Sequence, residues 1–175
     1  MSNMPPPPGQ FPPPPGQYPP PGPPPGELAT WGQRALGYLV DAGFSVAIII
    51  VGFILGAILG VVSSSLTLLV MFVAYIAAFA YWIIQLIRQG NTGQTIGKKI
   101  IGLKLLKEET GQPVGTGLSI GRWFAHIVDS ITCYIGWLLP LWDAKHQTIA
   151  DKLVGTVVVT VPKQPFNAAD LYSTA

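Results

Sequence analysis

The chain is poor in charge and in cysteine, and it has no acidic or basic tract. Only 10% of its 175 residues are Asp, Glu, Lys or Arg, against about 25% in soluble domains. So few charges cannot clothe a water-facing surface when 49% of the residues are apolar; a bilayer is the solvent that fits. A net charge of +2 excludes the electrostatic footprint of a nucleic-acid binder. The single cysteine, Cys133, excludes an internal disulfide framework, and one Cys with two His makes no zinc set. Lying in an apolar stretch, Cys133 reads as a small buried hydrophobe. The first 26 residues hold no Lys or Arg, so the basic n-region of a signal peptide is missing and the first apolar segment is expected to be a retained anchor. Ser63–Ser65 has no His/Asp partner at a meaningful spacing. Gly90–Lys99 lacks the spacing of a phosphate loop and follows an apolar helix rather than a strand. Neither an enzyme nor a cofactor is expected.

What is present begins with proline. Fourteen of the 18 prolines fall in the first 26 residues, where a Pro-Pro-Pro-Pro-Gly-Gln-aromatic unit occurs at Pro5–Phe11 and again at Pro12–Tyr18. Proline fixes φ and lacks a donor, so residues 1–27 are expected as a disordered tail of polyproline II character. Such a tail is either solvated and partner-free or a docking segment that shows Phe11 and Tyr18 to a protein.

Two uncharged runs follow, Ala42–Val62 and Leu66–Ile87, each at least as long as the roughly 20 residues a membrane helix needs. Ser63-Ser64-Ser65 between them allows only a tight turn. The fold class expected is therefore an all-α membrane protein: an antiparallel transmembrane hairpin (about 35–62 and 66–87), a third short or re-entrant segment (about 118–142), and small cytoplasmic strand elements. Gly52, Gly56 and Gly60 make a flat groove where another backbone can approach, matched either by Ala74 and Ala78 within the hairpin or by a second copy or a larger membrane complex. Lys99–Lys107 is either a strand or a short interfacial helix, and Gly155–Val161 reads as a strand. Pairing these two strands needs both on one side of the membrane, which favours a third segment that re-enters. Lys and Arg favour the cytoplasmic side, which places the loop after the hairpin, and the N-terminus with it, in the cytoplasm. Residues 162–175 read as a flexible tail.

The charges inside these segments are few. Arg34 and Asp41 lie seven residues apart on one helical face, and so do Arg122 and Asp129 with His126 between them. In the second set Arg122 and Asp129 read as an internal salt bridge, with His126 either titrating near neutral pH or making an interhelical hydrogen bond. Arg34, Asp41 and Asp151, with Gly93-Gln94-Thr95-Ile96-Gly97-Lys98-Lys99-Ile100-Ile101-Gly102-Leu103 and the Gly-Thr-Val-Val-Val run after Asp151, resemble the RDD family of bacterial membrane proteins over about residues 31–161. The proline-rich front end is similar to that of actinobacterial proline-rich antigens. One departure is Ala150, where the family often has His, with His146 further upstream. The resemblance implies a bacterial plasma-membrane protein. It also implies either a cation/proton exchanger in which two aspartates compete for one arginine, or an accessory subunit of a larger complex. Arg34 bridging Asp41 and Asp151 as a purely structural clamp is the third possibility. Without ions, the partners expected are the bilayer, a membrane protein or second copy, and a protein docked on the proline-rich tail.

Overall fold

A computed structural model describes residues 26–174; the expected proline-rich tail, with Phe11 and Tyr18, lies outside the described residues. Helix α1 (Trp31–Gly60) starts at Thr30, whose hydroxyl and Gln33 cap each other's backbone, and α2 (Ser64–Thr92) ends at Gly93 in the left-handed conformation. Only Val61, Val62 and Ser63 lie between α1 and α2, so the two form the expected antiparallel hairpin. Their outward faces carry large apolar side chains such as Phe53, Ile54, Phe72 and Phe79, all more than half exposed. In water that surface would be untenable; in hydrocarbon it is ordinary.

The glycine groove is occupied from inside the hairpin. A Cβ at Gly52 would lie 2.2 Å from the Ala74 Cβ, and Thr67 fills the space beside Gly56 and Gly60. The Thr67 hydroxyl also donates to the Gly56 carbonyl at 2.9 Å. This groove is therefore not a free docking face for a larger complex: lipid offers no hydrophobic drive between helices, so the closest backbone approach goes to the neighbour already tethered by the turn.

Beyond the hairpin, α3 (Ile96–Ile101) and β1 (Leu103–Lys107) resolve the Lys99–Lys107 ambiguity: the segment is helix and then strand, switched at Gly102 with φ 82°. After α4 (Thr116–Ile131), α5 (Ile135–Leu138) and a 3-10 turn at Leu139–Leu141, the motif returns as α6 (Ile149–Val154) and β2 (Thr156–Thr160), switched at Gly155 with φ 62°. The two halves match at a constant offset. Gln94 and Gln147 each donate to a carbonyl nine residues on, Leu103 and Thr156 respectively. Thr95 and Thr148 each cap their helix. The strands pair antiparallel with Leu105 opposite its own counterpart, Val158. Even the flanking bonds are reciprocal, Val161 N to Gly102 O and Glu108 N to Gly155 O, both 2.9 Å. A local two-fold axis thus passes between Leu105 and Val158.

The start of the described chain adds to this sheet, with Thr160 N donating to Glu27 O and Ala29 N to Val158 O. Ala29, Leu103, Leu105, Val114 and Val158 form its buried apolar cluster. Because β1 and β2 must lie together, the third apolar segment comes back to the end of the hairpin it left. Helix α4 and the α5 segment meet at a bend of 109°. The break falls on Cys133 and Tyr134, both non-glycine residues with positive φ. Cys133 is exposed there rather than buried as expected, since the helix that would have turned it inward stops short.

The C-terminal residues differ from a frayed tail. The Asp170 carboxylate, on a 3-10 turn at Ala168–Leu171, is buried and bonds Arg88 at 2.6 Å and Lys99 at 2.8 Å. Arg88 and Lys99 stand where membrane helix meets loop, and two cations side by side need a shared counter-charge.

Candidate functional site

The sheet end of the molecule carries a layer of buried charge. Asp151 lies at the third position of α6, where its carboxylate accepts from the Thr148 amide at 3.1 Å. Its side chain also accepts from Arg34 Nη2, from Arg122 Nε at 2.7 Å and from Thr156 Oγ1 at 3.2 Å. Arg34 gives its other terminal nitrogen to the His146 carbonyl. Burial raises the Asp151 pKa, but the Arg122 and Arg34 guanidiniums more than offset this and hold the carboxyl well below the usual range. Of the three residues expected to cluster, Arg34 and Asp151 meet and Asp41 does not. The arrangement is the inverse of the expected one: two arginines share one aspartate.

Asp41 turns to α3 instead, accepting from Thr95 Oγ1 and from Gly97 N, both at 2.6 Å. A Cβ at Gly97 would lie 2.1 Å from the Gly37 carbonyl, so glycine is what lets α3 sit against α1. The expected Arg122–Asp129 bridge is absent too. Asp129 takes His126 Nδ1 at 2.6 Å and the Ala150 amide at 3.3 Å, and Arg122 belongs to Asp151. Gly97 and Ala150 are equivalent in the two-fold, so each helix–strand unit is seated by one membrane-helix aspartate holding the same backbone amide.

Above this layer α1, α2, α3 and α4 enclose a cavity of about 690 Å³. Its floor is polar: Asp41, Gln85, Gln89, Thr95, Lys98 and Arg122. Lys98 donates to Gln89 at 2.6 Å and lies 4.9 Å from the Tyr38 ring centroid. Burial lowers the Lys98 pKa, against smaller raising effects of Tyr38 and Asp41. The walls are apolar, with Trp82 and Trp123 in edge contact at 4.9 Å. Three side chains that line the cavity carry buried polar atoms without a hydrogen-bond partner, namely Tyr81 Oη, Arg122 Nη2 and His126 Nε2. The sequence reading missed Gln85, Gln89 and Lys98. Two glutamines four apart in an otherwise apolar helix were the available signal, since such residues mark a protein-facing or cavity-facing stripe.

The RDD family model matches residues 28–155, from the bridge to β2 that precedes α1 to the glycine switch before β2. The chain belongs to the RDD family. Its match covers Arg34, Asp41, Asp151 and every residue named on the cavity floor. A "Proline-rich antigen homolog" of Mycobacterium tuberculosis (strain H37Rv) is 51% identical over 74 residues, 42% of this RDD protein and 31% of the relative. The "Proline-rich antigen" of Mycobacterium leprae is likewise 51% identical over 74 residues, 30% of its length. The "Uncharacterized protein YxaI" of Bacillus subtilis is 45% identical over 51 residues, 33% of its length. The alignments thus cover about a third of these curated relatives. No solved structure matches the chain.

Proposed function

We propose that this RDD protein is a multi-pass protein of the bacterial cell membrane that holds a small molecule in the cavity above its charged layer, and that Arg34, Arg122 and Asp151 clamp the sheet end rather than exchange cations. The observation that carries this reading is the trio of unpartnered polar atoms on Tyr81, Arg122 and His126, all in cavity-lining side chains. A buried donor or acceptor left unsatisfied costs about 1–3 kcal/mol, and a ligand that supplies partners removes that cost. The doubly paired Asp151 supports the clamp, because a carboxylate with two guanidiniums has no unmet demand for Na⁺ or H⁺. Two long helices and one re-entrant segment enclose no through-path, so the reading is of binding and presentation; transport would require several copies.

Orientation follows from charge. All ten Lys and Arg lie between Arg34 and Lys163, none in the turn at Val61–Ser65 or at the α4–α5 break. The sheet end is read as cytoplasmic on that basis, with the N-terminus beside it. A docking role for the proline-rich segment is compatible, since it joins the fold at the same basic end through Glu27 and Ala29.

The test is native mass spectrometry of the full chain released from mild detergent, compared with Ser45→Trp, which fills the cavity from α1. A bound mass lost in the variant is expected. A bare protein in both, with Ser45→Trp melting no differently in the presence of total membrane extract, would overturn the reading. Orientation is checked with Ser2→Cys in a Cys133→Ser background: labelling by an impermeant maleimide is expected only after cell lysis.

A further inference from the structure

The cavity floor offers more hydrogen-bond donors than the protein uses. The Lys98 ammonium has three N–H groups, and Gln89 takes one. Arg122 keeps Nη2 unpaired, and the Tyr81 hydroxyl has no partner. The carboxylate in the lining, Asp41, is already committed to Thr95 and Gly97. Arg122 is already paired with Asp151, whereas Lys98 makes no salt bridge among the described residues, so a single negative charge on a ligand supplies the counter-charge that Lys98 lacks. His126 adds an acceptor: with Nδ1 on the Asp129 carboxylate, Nδ1 is assigned the proton and Nε2 presents a lone pair. A head that is acidic and can also carry one proton meets all four groups.

The opposite wall asks for hydrocarbon. Trp123, Ile127 and Ile131 line the cavity and are also 42%, 50% and 75% exposed on the outer face of α4. In the bilayer that face is lipid, so the cavity opens sideways into acyl chains through these residues. Its volume lies within the range of small-ligand sites, about 300–1,000 Å³, which suits one chain and not a whole two-chain phospholipid.

We propose that the cavity binds a single-chain amphiphile with an acidic head, the head on Lys98, Arg122 and Tyr81 and the chain leaving past Trp123 and Ile131 into the membrane. This rests on the reading that the cavity holds a ligand. Carboxylate and phosphate heads share the required chemistry, and the assay separates them.

The experiment is competition against a fluorescent sixteen-carbon acid bound to the full chain in maltoside micelles. The competitors are oleate, lysophosphatidic acid, lysophosphatidylcholine and monoolein. At least one acid is expected to compete about tenfold or more better than the zwitterionic and neutral compounds, as for one charge-assisted hydrogen bond lost. Oleate alone points to a carboxylate source; lysophosphatidic acid alone points to a phosphate source. Lys98→Met is expected to erase the preference for acid and leave monoolein unchanged. Should Lys98→Met fail to fold, Tyr81→Phe serves in its place, with a loss of about two- to tenfold for the acid. Equal competition by all four compounds, with Lys98→Met silent, overturns the acidic head while the cavity reading stands. No competition by any, with Ser45→Trp equally silent, overturns both.

Discussion

Asp151→Asn tests the clamp most sharply. The substitution keeps the shape of the side chain and much of its hydrogen bonding to Thr148 and Thr156, but it removes the charge that Arg34 and Arg122 share at a site with no exposure. Removing one member of a buried ion pair costs about 3–5 kcal/mol, because the partner is left charged and unpaired. For a chain of this size about 2–4 °C of melting temperature accompanies each kcal/mol, so a fall of roughly 6–20 °C is expected in detergent by circular dichroism. Adding Arg34→Met to Asp151→Asn should recover part of the loss, since one orphaned cation goes with it. The pH dependence has a fixed sign. The folded-state pKa of Asp151 is depressed, so its contribution is complete above the ordinary value near 3.8 and is lost as the pH falls below it. Parental stability should therefore decline in acid with a slope that includes about 1.4 kcal/mol per pH unit from this group, and Asp151→Asn should lack that component. A variant melting within about 2 °C of the parent, with an unchanged acid slope, would refute the clamp.

Two further predictions concern packing and the C-terminal segment. Gly52→Ala should lower the melting temperature by several degrees while Gly56→Ala has little effect, because an added Cβ meets Ala74 at 2.2 Å in the first case and Thr67 at an ordinary 3.5 Å in the second. Equal effects in a thermal melt would mean that the hairpin does not cross at Gly52. Asp170→Ala removes the counter-charge of Arg88 and Lys99, so residues 164–174 should become rapidly cleaved in limited proteolysis, with cleavage elsewhere unchanged. A tail that stays protected would place its anchor elsewhere, for instance at the Phe166–Phe44 ring contact.

The hairpin was legible because it needs nothing but length and the absence of charge: twenty-one and twenty-two uncharged residues around three serines admit no other arrangement. The return of the third segment was legible from its charges and from the need to pair two strands. What escaped the sequence was which charge finds which. The seven-residue spacings put Arg34 with Asp41, and Arg122 with Asp129, on common faces, and spacing along a helix says nothing about what lies across from it. Helix α6 packs on α4 and comes within reach of Arg34 on α1, so Asp151 collects an arginine from each. Asp170 escaped for a related reason. A short polar C-terminus reads as frayed unless one knows that Arg88 and Lys99 come together to share its one buried carboxylate.

The two-fold relation between Gln94–Lys107 and Gln147–Thr160 explains this division of labour better than the spacings do. Each copy is a capped turn, a short helix, a glycine switch and a strand, and each needs an acceptor for the amide at its second helical residue. Asp41 supplies it for Gly97 and Asp129 for Ala150. Those two aspartates are thus equivalent in role although they sit on unrelated helices. The next position departs from the symmetry. Where one copy has Asp151, neutralised by two arginines, the other has Lys98, which faces a cavity with one protein acceptor, Gln89. Were the protein only a structural plug, the symmetric solution, a second closed ion pair at position 98, would be the more stable one. An unneutralised buried ammonium beside an open space costs stability that a purely structural role does not repay. On the proposed reading, the asymmetry between positions 98 and 151 separates the half of the fold that holds the chain together from the half that would meet a ligand.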